Sequence, residues 1–408
     1  MEWLKQVNDS PVDWLMQSDA AGVSYLTLRN VLGRLLDDPE LDEARAAAHT
    51  DGPIAGVLAA MEPEGYWVKP GPGYGPKYRS TVWAIILLAQ LGASVECDER
   101  IQRACGYLLD HALADGGQFS YNREARGTFD CLQGNLCAAL MELGCDDPRL
   151  AGAFEWMART VTGEAMAPLK DHHAPLRYYR YKCGPNFACG ANDGLPCAWG
   201  AAKVMLALSR WPEERRTPLI RAAIEQGVQF LLSTDPAKAM YRERTGGQPH
   251  KGWFDLSFPV FYLTDVLQLV EALTGLGYGQ DPRLANALEF VLSKQDAQGR
   301  WPLERRLTQS TWGSFGRLGQ PNPWVTVRAL TALRLADAPS CQSRRLCGSP
   351  DRLTCACQPR TVGQSAERSA THGMVGSGSR RARCLAAAIR HTRRTLPDAP
   401  QRPGPPHR

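Results

Sequence analysis

The sequence predicts an all-α fold in which residues 50–337 form a series of stacked helical hairpins. Three observations support this prediction: a helix-ending Leu-Gly motif recurs, amphipathic and uniformly apolar helices alternate, and a Gly-rich loop precedes each apolar helix. The chain has 408 residues, of which 44% are hydrophobic, so it is long enough to bury a large core.

The Leu-Gly motif occurs three times and is followed each time by an acidic turn and an arginine. The copies lie at residues 91–101, 143–150 and 276–284. Glycine supplies the left-handed conformation that ends a helix, and the aspartate is typical of the start of the next one. Repeated stop and start signals therefore indicate repeated hairpins.

Each hairpin is predicted to contain an amphipathic first helix and a more apolar second helix. The predicted first helices are residues 101–114, 219–233 and 284–294. The predicted second helices are residues 81–91, 128–143, 198–208, 260–273 and 324–335. Apolar residues recur in them at spacings of three and four, as is typical of packed helices. Because the second helices are apolar on all sides, we expect them on the inside of the fold.

The loops between these helices share a signature. Residues 295–301 read Gln-x-x-x-Gly-x-Trp, and looser copies occur at residues 61–67, 113–119 and 248–254. This pattern resembles the repeat signature of the squalene-cyclase and prenyltransferase-repeat superfamily, and the resemblance covers residues 50–337. It implies an α/α toroid, in which the hairpins close around a central cavity.

The resemblance also implies a function for that cavity. It would bind a hydrophobic isoprenoid-like, prenylated or peptide substrate and catalyse cyclization or transfer. The alternative is a toroid that binds a ligand or a protein without catalysis, since one fold supports many functions. A cavity with convergent Asp, His and Cys side chains would favour the enzyme.

The two ends of the chain differ from the repeat region. Residues 1–49 are predicted to form an N-terminal helical cap or a separate interaction segment. Residues 338–408 hold 13 Arg, no Lys and three acidic residues, a net charge of +10, with many Ser, Pro and Cys. This composition predicts disorder. It fits a basic nucleic-acid-binding tail or a shifted reading frame, and the abrupt change at the end of a helix favours the shifted frame.

Composition limits the partners and the compartment. The first 337 residues carry a net charge of −5, which gives no reason to expect nucleic acid as a partner. Residues 1–13 lack the apolar region of a signal peptide, and the longest apolar run, residues 82–89, is too short to span a bilayer. We therefore expect a soluble cytoplasmic protein with at most peripheral membrane contact. In that compartment its 13 cysteines favour free thiols or metal ligands.

Three aspartates are candidate catalytic acids. Asp130, in the pair Asp130-Cys131, is similar to the Asp-Cys acid motif of triterpene cyclases, although Leu132 and Gln133 replace its Thr-Ala. Its position at a helix N-terminus would lower the pKa unless desolvation dominates, and capping is the alternative role. Asp265 is expected to face the lumen, and Asp193 to point into a polar pocket.

Residues 171–200 form the longest loop and hold the candidate metal ligands. Thiolates and imidazoles together are what zinc prefers, so Cys183, Cys189 and Cys197 with His172 are candidate ligands. Their spacing matches no compact zinc motif, and the alternative is that the cysteines pack in the core. No cofactor is expected apart from this zinc.

Aromatic residues gather in the loops that lead into the second helices. Such walls stabilise cations in terpene cyclases, and the alternative is ordinary packing between hairpins. The four tryptophans Trp67, Trp253, Trp301 and Trp324 are expected near the rim or the lumen. The candidate substrate-binding residues are these four together with Tyr178, Trp199, Phe258 and Tyr262.

Overall fold

The computed structural model describes residues 2–338, except 245, 247 and 308–310. The interpretation of the C-terminal tail as disordered or frameshifted lies outside these residues. The α-helices are α1 Val12–Met16, α2 Ala21–Leu26, α3 Pro39–Thr50, α4 Pro53–Ala59, α5 Thr81–Gln90, α6 Glu99–Ala112, α7 Asp130–Glu142, α8 Arg149–Thr162, α9 Ala198–Arg210, α10 Pro218–Leu231, α11 Val266–Gly275, α12 Ala285–Ser293 and α13 Pro323–Asp337.

Shorter elements connect these helices. A π-helical turn, Thr27–Leu32, continues α2. Two-residue strands lie between α8 and α9: β1 Ala167–Pro168 pairs in parallel with β2 Arg177–Tyr178, and β3 Cys183–Gly184 pairs antiparallel with β4 Ala188–Cys189. The 3-10 turns are Glu2–Gln6, Ala125–Gly127, Gly190–Asn192, Glu213–Arg215, Lys251–Trp253 and Pro282–Leu284.

The helices form an α/α toroid, as the sequence predicts. The second helix of each hairpin lies inside: α5 packs on α7, α7 on α9, α9 on α11, and α11 on α13. The π-helical turn packs on α13, and α2 meets the end of α5, where Gly22 lies close to the Leu91 carbonyl. This closes the ring. Amphipathic helices such as α8 and α10 pack side by side outside it.

Part of the N-terminal segment, residues 21–32, contributes to the ring. Leu26, Arg29 and Asn30 line the lumen together with residues of α7, α9, α11 and α13. The described residues fall into one compact unit with no boundary at residue 49. The apolar residues of this segment pack against neighbouring inner helices. The segment thus forms the part of the inner wall that closes the ring.

The repeated signals that end one helix and start the next have the structure that the sequence predicts. Gly92, Gly144 and Gly277 have φ values of 82–89°, the left-handed conformation that ends a helix. In the turn that follows, an aspartate accepts the backbone N–H of the arginine two residues later at 2.9 Å. The guanidinium of that arginine also forms an ion pair with the same carboxylate. The three pairs are Asp98–Arg100, Asp147–Arg149 and Asp281–Arg283.

The tryptophan of the loop signature fastens the two helices of a hairpin. The Trp67 indole N–H donates to a carbonyl of α4 at 2.8 Å, and its backbone N–H donates to the Thr81 hydroxyl on α5 at 3.1 Å. Trp301 repeats both bonds, to a carbonyl of α12 at 2.6 Å and to the Thr326 hydroxyl on α13 at 3.0 Å. The signature therefore has a structural role in these two hairpins.

Several helices differ from the sequence prediction. Helices α4 and α8 were not among the predicted helices of the repeat region, and α11 begins at Val266, six residues later than expected. The backbone before α11 is held by side chains of other inner helices instead: Gln90 bonds to the N–H and the carbonyl of Val260, and Lys203 donates to the Phe261 carbonyl. Among the described residues, no helix combines the length and apolar character needed to cross a bilayer.

Candidate active site

Two cavities lie inside the ring. The larger, of about 550 Å³, opens where the loops enter the inner helices and contains Asp130; we call it the acid cavity. The smaller, of about 140 Å³, lies between the inner helices and is the lumen cavity. The second helices thus line the lumen, as expected from their uniformly apolar surfaces.

Asp130 is the first residue of α7 and is 5% exposed. Its side chain does not cap the helix, and among the described residues its Oδ1 has no hydrogen-bond partner. Burial, with a smaller contribution from Cys189, raises the pKa of Asp130 to about 8. Desolvation therefore outweighs the helix dipole, and the carboxyl group is largely protonated at pH 7.

Close packing of α7 and α9 creates the buried environment of Asp130. A Cβ added at Gly134 would lie 2.3 Å from the Lys203 backbone, and one added at Gly200 would lie 3.1 Å from the Asp130 Cβ. Both positions require glycine because larger side chains would separate the two helices. The start of α9 consequently covers the acid.

Four cysteines, Cys131, Cys183, Cys189 and Cys197, lie near the acid. Cys189 is hydrogen-bonded to Cys197, and Cys197 to Cys131. The hydrogen bond with Cys131, followed by burial, raises the pKa of Cys197 to about 12. Burial raises the pKa of Cys183 well above its ordinary value, and its thiol donates to the Thr128 carbonyl at 3.5 Å. Cys183, Cys189 and Cys197, whose pKa values are all raised, are neutral thiols at pH 7.

The predicted zinc ligands are not brought together. Cys189 and Cys197 line the acid cavity, but Cys183 is turned toward the Thr128 carbonyl, and His172 lines a different surface groove. In the part of the chain that the structure describes, no three His, Cys, Asp or Glu side chains are placed to hold a metal ion. The residues present therefore do not fit zinc, because the candidate ligands face different parts of the fold.

Aromatic rings form the wall of the acid cavity. Tyr74, Tyr121, Phe129 and Tyr262 line it, and Tyr74 packs edge-on against Phe129 with ring centroids 5.9 Å apart. Burial raises the pKa of Tyr74 to about 12. Burial also raises the pKa of Tyr262, so Tyr74 and Tyr262 present uncharged rings to the cavity.

Two lysine ammonium groups lie against these rings. Lys77 Nζ is 5.0 Å from the Tyr262 ring centroid, and Lys182 Nζ is 5.7 Å from that of Tyr121. Both lysines line the acid cavity. The ring faces are thus positioned to attract positive charge, and the cavity itself is electropositive because its one lining carboxyl group among the described residues is protonated Asp130.

The other two candidate acids lie outside both cavities. Asp193 is exposed in a left-handed turn. Asp265 is fully buried, caps α11 through Gln268 N at 2.9 Å, and pairs with Arg328 at 3.2 Å. Burial would raise the pKa of Asp265, but the Arg328 guanidinium outweighs it and holds the pKa below its ordinary value. Asp265 is a structural anion in this arrangement.

The predicted substrate-binding aromatics separate into three groups. Tyr262 lines the acid cavity, and Phe258 and Trp324 line the lumen cavity, where their rings stack 4.9 Å apart. Trp199 and Tyr178 line neither cavity; Trp199 packs edge-on against His250 at 5.1 Å. The fully buried tryptophans hold hairpins together: Trp67 and Trp301 as described above, and Trp253 through a bond to the Pro236 carbonyl at 2.9 Å.

Several cavity residues were missed at the sequence level. Tyr74 and Lys77 lie in a Gly-Pro-rich segment that lacks the features of a phosphate loop, and Tyr121 and Lys182 lie in polar loops. Their position in the sequence could have identified them. Each lies in a loop that precedes an inner helix, and these loops meet at the same end of the ring.

Comparisons with known proteins give distant structural similarities. A glycosyl hydrolase of family 88 from Bacteroides vulgatus has a TM-score of 0.44 and 11% identity, covering 82% of this chain and 98% of that one. The type II terpene cyclase MstE from Scytonema has a TM-score of 0.29 and 13% identity, covering 72% of this chain and 98% of that one. No protein-family model and no curated protein matches the sequence. Similarity this low does not transfer an activity to this chain.

Proposed function

We propose that the protein is an acid-initiated cyclase of polyisoprenoid-like alkenes, with Asp130 as the proton donor. The supporting observation is a buried carboxylic acid that stays protonated near pH 7, has an unpartnered Oδ1 among the described residues, and lines a cavity of about 550 Å³. A cavity of this size falls in the usual range for small-molecule sites. The loop signature of the sequence resembles that of cyclases, which is consistent with this chemistry.

The proposed reaction conserves atoms and electrons. The O–H bond of Asp130 breaks, and its proton forms a C–H bond at one carbon of the alkene, leaving a cation on the neighbouring carbon. A second double bond of the same chain attacks this cation and forms a C–C bond. A carbon beside the last cation then loses a proton to solvent, and Asp130 takes a proton back from water. Substrate and product are isomers.

The cavity wall suits the cationic intermediate. The ring faces that line the cavity provide negative electrostatic potential, and the hydroxyls of Tyr74 and Tyr262 stay protonated, so they add no nucleophilic anion. Cys189 and Cys197 are also protonated, so they are weak traps for a carbocation. The wall can therefore stabilise positive charge and leave it free to react with a second alkene.

The carboxyl groups favour isomerization over glycoside hydrolysis. Hydrolysis of that kind normally uses two carboxyl groups flanking the substrate. Asp130 is the one carboxyl group that lines the acid cavity among the described residues. Glu142 and Glu271 line the lumen cavity, but Arg29 and Arg328 pair with them.

The test is conversion of linear polyprenes. Farnesol, geranylgeraniol and their diphosphates are incubated with wild type, Asp130→Asn and the control Asp193→Asn, and the products are analysed by gas chromatography and mass spectrometry. We expect a cyclic isomer from wild type and the control, and none from Asp130→Asn. Equal conversion by Asp130→Asn would contradict the proposal. Binding of polyprenes by wild type with no conversion of any of them would favour a non-catalytic ligand-binding toroid.

A further inference from the structure

The lumen cavity is separate from the acid cavity and takes no part in the proposed reaction. Its volume is about 140 Å³, and among the described residues the two cavities share none of their lining. On α7, Asp130 lines the acid cavity, whereas Asn135 and Glu142, farther along the helix, line the lumen cavity. On α9 the order is the same, with Gly200 at the acid cavity and Arg210 at the lumen cavity. The lumen cavity therefore lies toward the C-terminal ends of the inner helices.

Much of the wall of the lumen cavity is aliphatic. Side chains of α5, α7, α9 and α13 contribute to it, among them Ile86, Ala138 and Leu206. The two rings in the lining, Phe258 and Trp324, stack on each other with centroids 4.9 Å apart, so one face of each ring is already covered. The remaining surface consequently suits an aliphatic chain better than another aromatic ring.

The charged side chains of the lumen cavity have an excess of one positive charge. Among the described residues, the charged lining consists of three arginines and two glutamates: Arg29, Arg210, Arg328, Glu142 and Glu271. Glu271 accepts two hydrogen bonds from Arg328, at 2.8 and 2.9 Å, and Glu142 pairs with Arg29. Burial raises the pKa of Glu271, and its protonation only increases the positive excess. Since each glutamate has an arginine partner of its own, the excess charge is that of Arg210.

Arg210 has hydrogen-bond donors that the protein does not use. Its Nε lies 3.4 Å from Glu142 Oε2, and among the described residues its two Nη atoms have no acceptor. The side chain is 26% exposed, so a ligand can reach these donors. Gln268, which also lines the cavity, accepts from Lys203 Nζ at 3.0 Å through Oε1, and its Nε2 has no acceptor among the same residues. The cavity thus presents N–H donors beside an aliphatic wall.

We propose that the lumen cavity binds a short aliphatic monocarboxylate, with its carboxylate on Arg210 and its chain between the inner helices. The two Nη atoms of an arginine match the two oxygens of a carboxylate, and a single negative charge balances the positive excess of the lining. Because a cavity of about 150 Å³ holds a molecule of the size of benzene, a chain of about four to seven carbons suits this one. The site is independent of the proposed function, since no residue that binds the carboxylate lines the acid cavity.

The experiment measures binding of hexanoate by saturation-transfer NMR titration at pH 7 and low ionic strength. Hexanol and hexylamine are titrated in parallel, because they carry the same chain with a neutral and a cationic head. The comparison therefore isolates the contribution of the carboxylate. We expect hexanoate to bind at least about tenfold more tightly than either analogue.

Three variants locate the ligand. Arg210→Met removes the guanidinium and keeps an unbranched side chain, and we expect it to weaken hexanoate binding at least about tenfold. Arg215→Met is the matched control, because Arg215 is exposed, pairs with Asp146 at 3.0 Å and lines neither cavity; it should bind hexanoate like wild type. Ala138→Leu narrows the cavity without a change of charge and should weaken hexanoate more than butyrate. Circular dichroism and urea unfolding check that each variant is folded.

Hexanoate binding that depends on Arg210 and is reduced by Ala138→Leu supports the proposal. Equal affinity of wild type and Arg210→Met for hexanoate overturns it, as does equal binding of hexanoate and hexanol or no binding of hexanoate at millimolar concentration. If Arg210→Met does not fold, the analogues and Ala138→Leu decide: selectivity for hexanoate that Ala138→Leu reduces supports the site, and its absence overturns it. Asp130→Asn should bind hexanoate like wild type, so the fate of the acid function does not affect this test.

Discussion

Replacing Asp130 with asparagine should make the protein more stable at neutral pH while removing its proton donor. The unfolded chain releases the Asp130 proton above its ordinary pKa of 3.8, whereas the folded protein keeps it until about pH 8. Folding at pH 7 therefore takes up a proton, and the stability of wild type falls as pH rises between these two values. Asparagine does not ionise, so the stability of the variant does not fall in this way as pH rises.

The magnitude follows from the pKa difference. About three pH units separate the ordinary pKa from pH 7, and each is worth about 1.4 kcal/mol, so the cost of the buried acid at pH 7 is on the order of 4 kcal/mol. Near pH 4 the cost is close to zero. The difference in unfolding free energy between wild type and Asp130→Asn should therefore change by about this amount between pH 4 and pH 7. Any effect of the asparagine on packing is the same at both pH values and cancels.

The assay is urea unfolding followed by circular dichroism at several pH values between about 4 and 8. Asp193→Asn is the control, because this exposed aspartate lies in a turn outside the cavity, and its profile should follow that of wild type. Parallel pH profiles for wild type and Asp130→Asn would refute the conclusion that burial keeps Asp130 protonated. A folded but inactive Asp130→Asn would also separate loss of catalysis from loss of structure.

Three further substitutions test the packing that forms the site. Gly134→Ala should destabilise the protein by about 1–3 kcal/mol in urea unfolding, since its methyl group would overlap the backbone of α9. Trp301→Phe should cost about 0.5–1.5 kcal/mol by removing the hydrogen bond from the indole N–H to the Val291 carbonyl, whereas an unchanged unfolding midpoint would show that this bond does not hold the hairpin together. Asp265→Ala should cost about 3–5 kcal/mol because it leaves Arg328 buried with fewer partners, and similar stability of variant and wild type would exclude a structural role.

The hairpins were predictable from the sequence because their signals are local. Glycine at a left-handed position and an aspartate two residues before an arginine determine the ends of helices, and Gly92 and Asp98 show both effects. The inner position of the second helices follows from their predominantly apolar sequences, although polar residues on them, such as Asn135, Glu142 and Gln268, line the lumen cavity. The bounds of α5, Thr81–Gln90, agree with the prediction to one residue.

The parts of the fold that the sequence did not predict depend on contacts between distant segments. Residues 260–265 have a helical apolar pattern, yet Gln90 and Lys203 bind their backbone and keep it out of the helix. The closing role of residues 21–32 depends on contact with α13, some 300 residues later in the chain. Local periodicity contains no information on either contact.

The candidate site was predictable in part. Asp130 was identified by its neighbour Cys131 and its place at the start of an inner helix, but the sign of its pKa shift depended on the burial that Gly134 and Gly200 allow. Cysteine count and spacing suggested zinc, whereas the thiols bond to one another and to the backbone. The pairing of Pro168 with Tyr178 was not predicted, because strands of two residues leave no periodic pattern in the sequence.

The measurement that tests the central claim most directly is solvent deuterium incorporation. Wild type is incubated with geranylgeranyl diphosphate in deuterated water, and the product is analysed by mass spectrometry and NMR. If Asp130 protonates the alkene, the cyclic product carries one deuterium at the carbon that was protonated, and Asp130→Asn yields no such product. A cyclic product without deuterium, or the same labelled product from Asp130→Asn, would contradict the account.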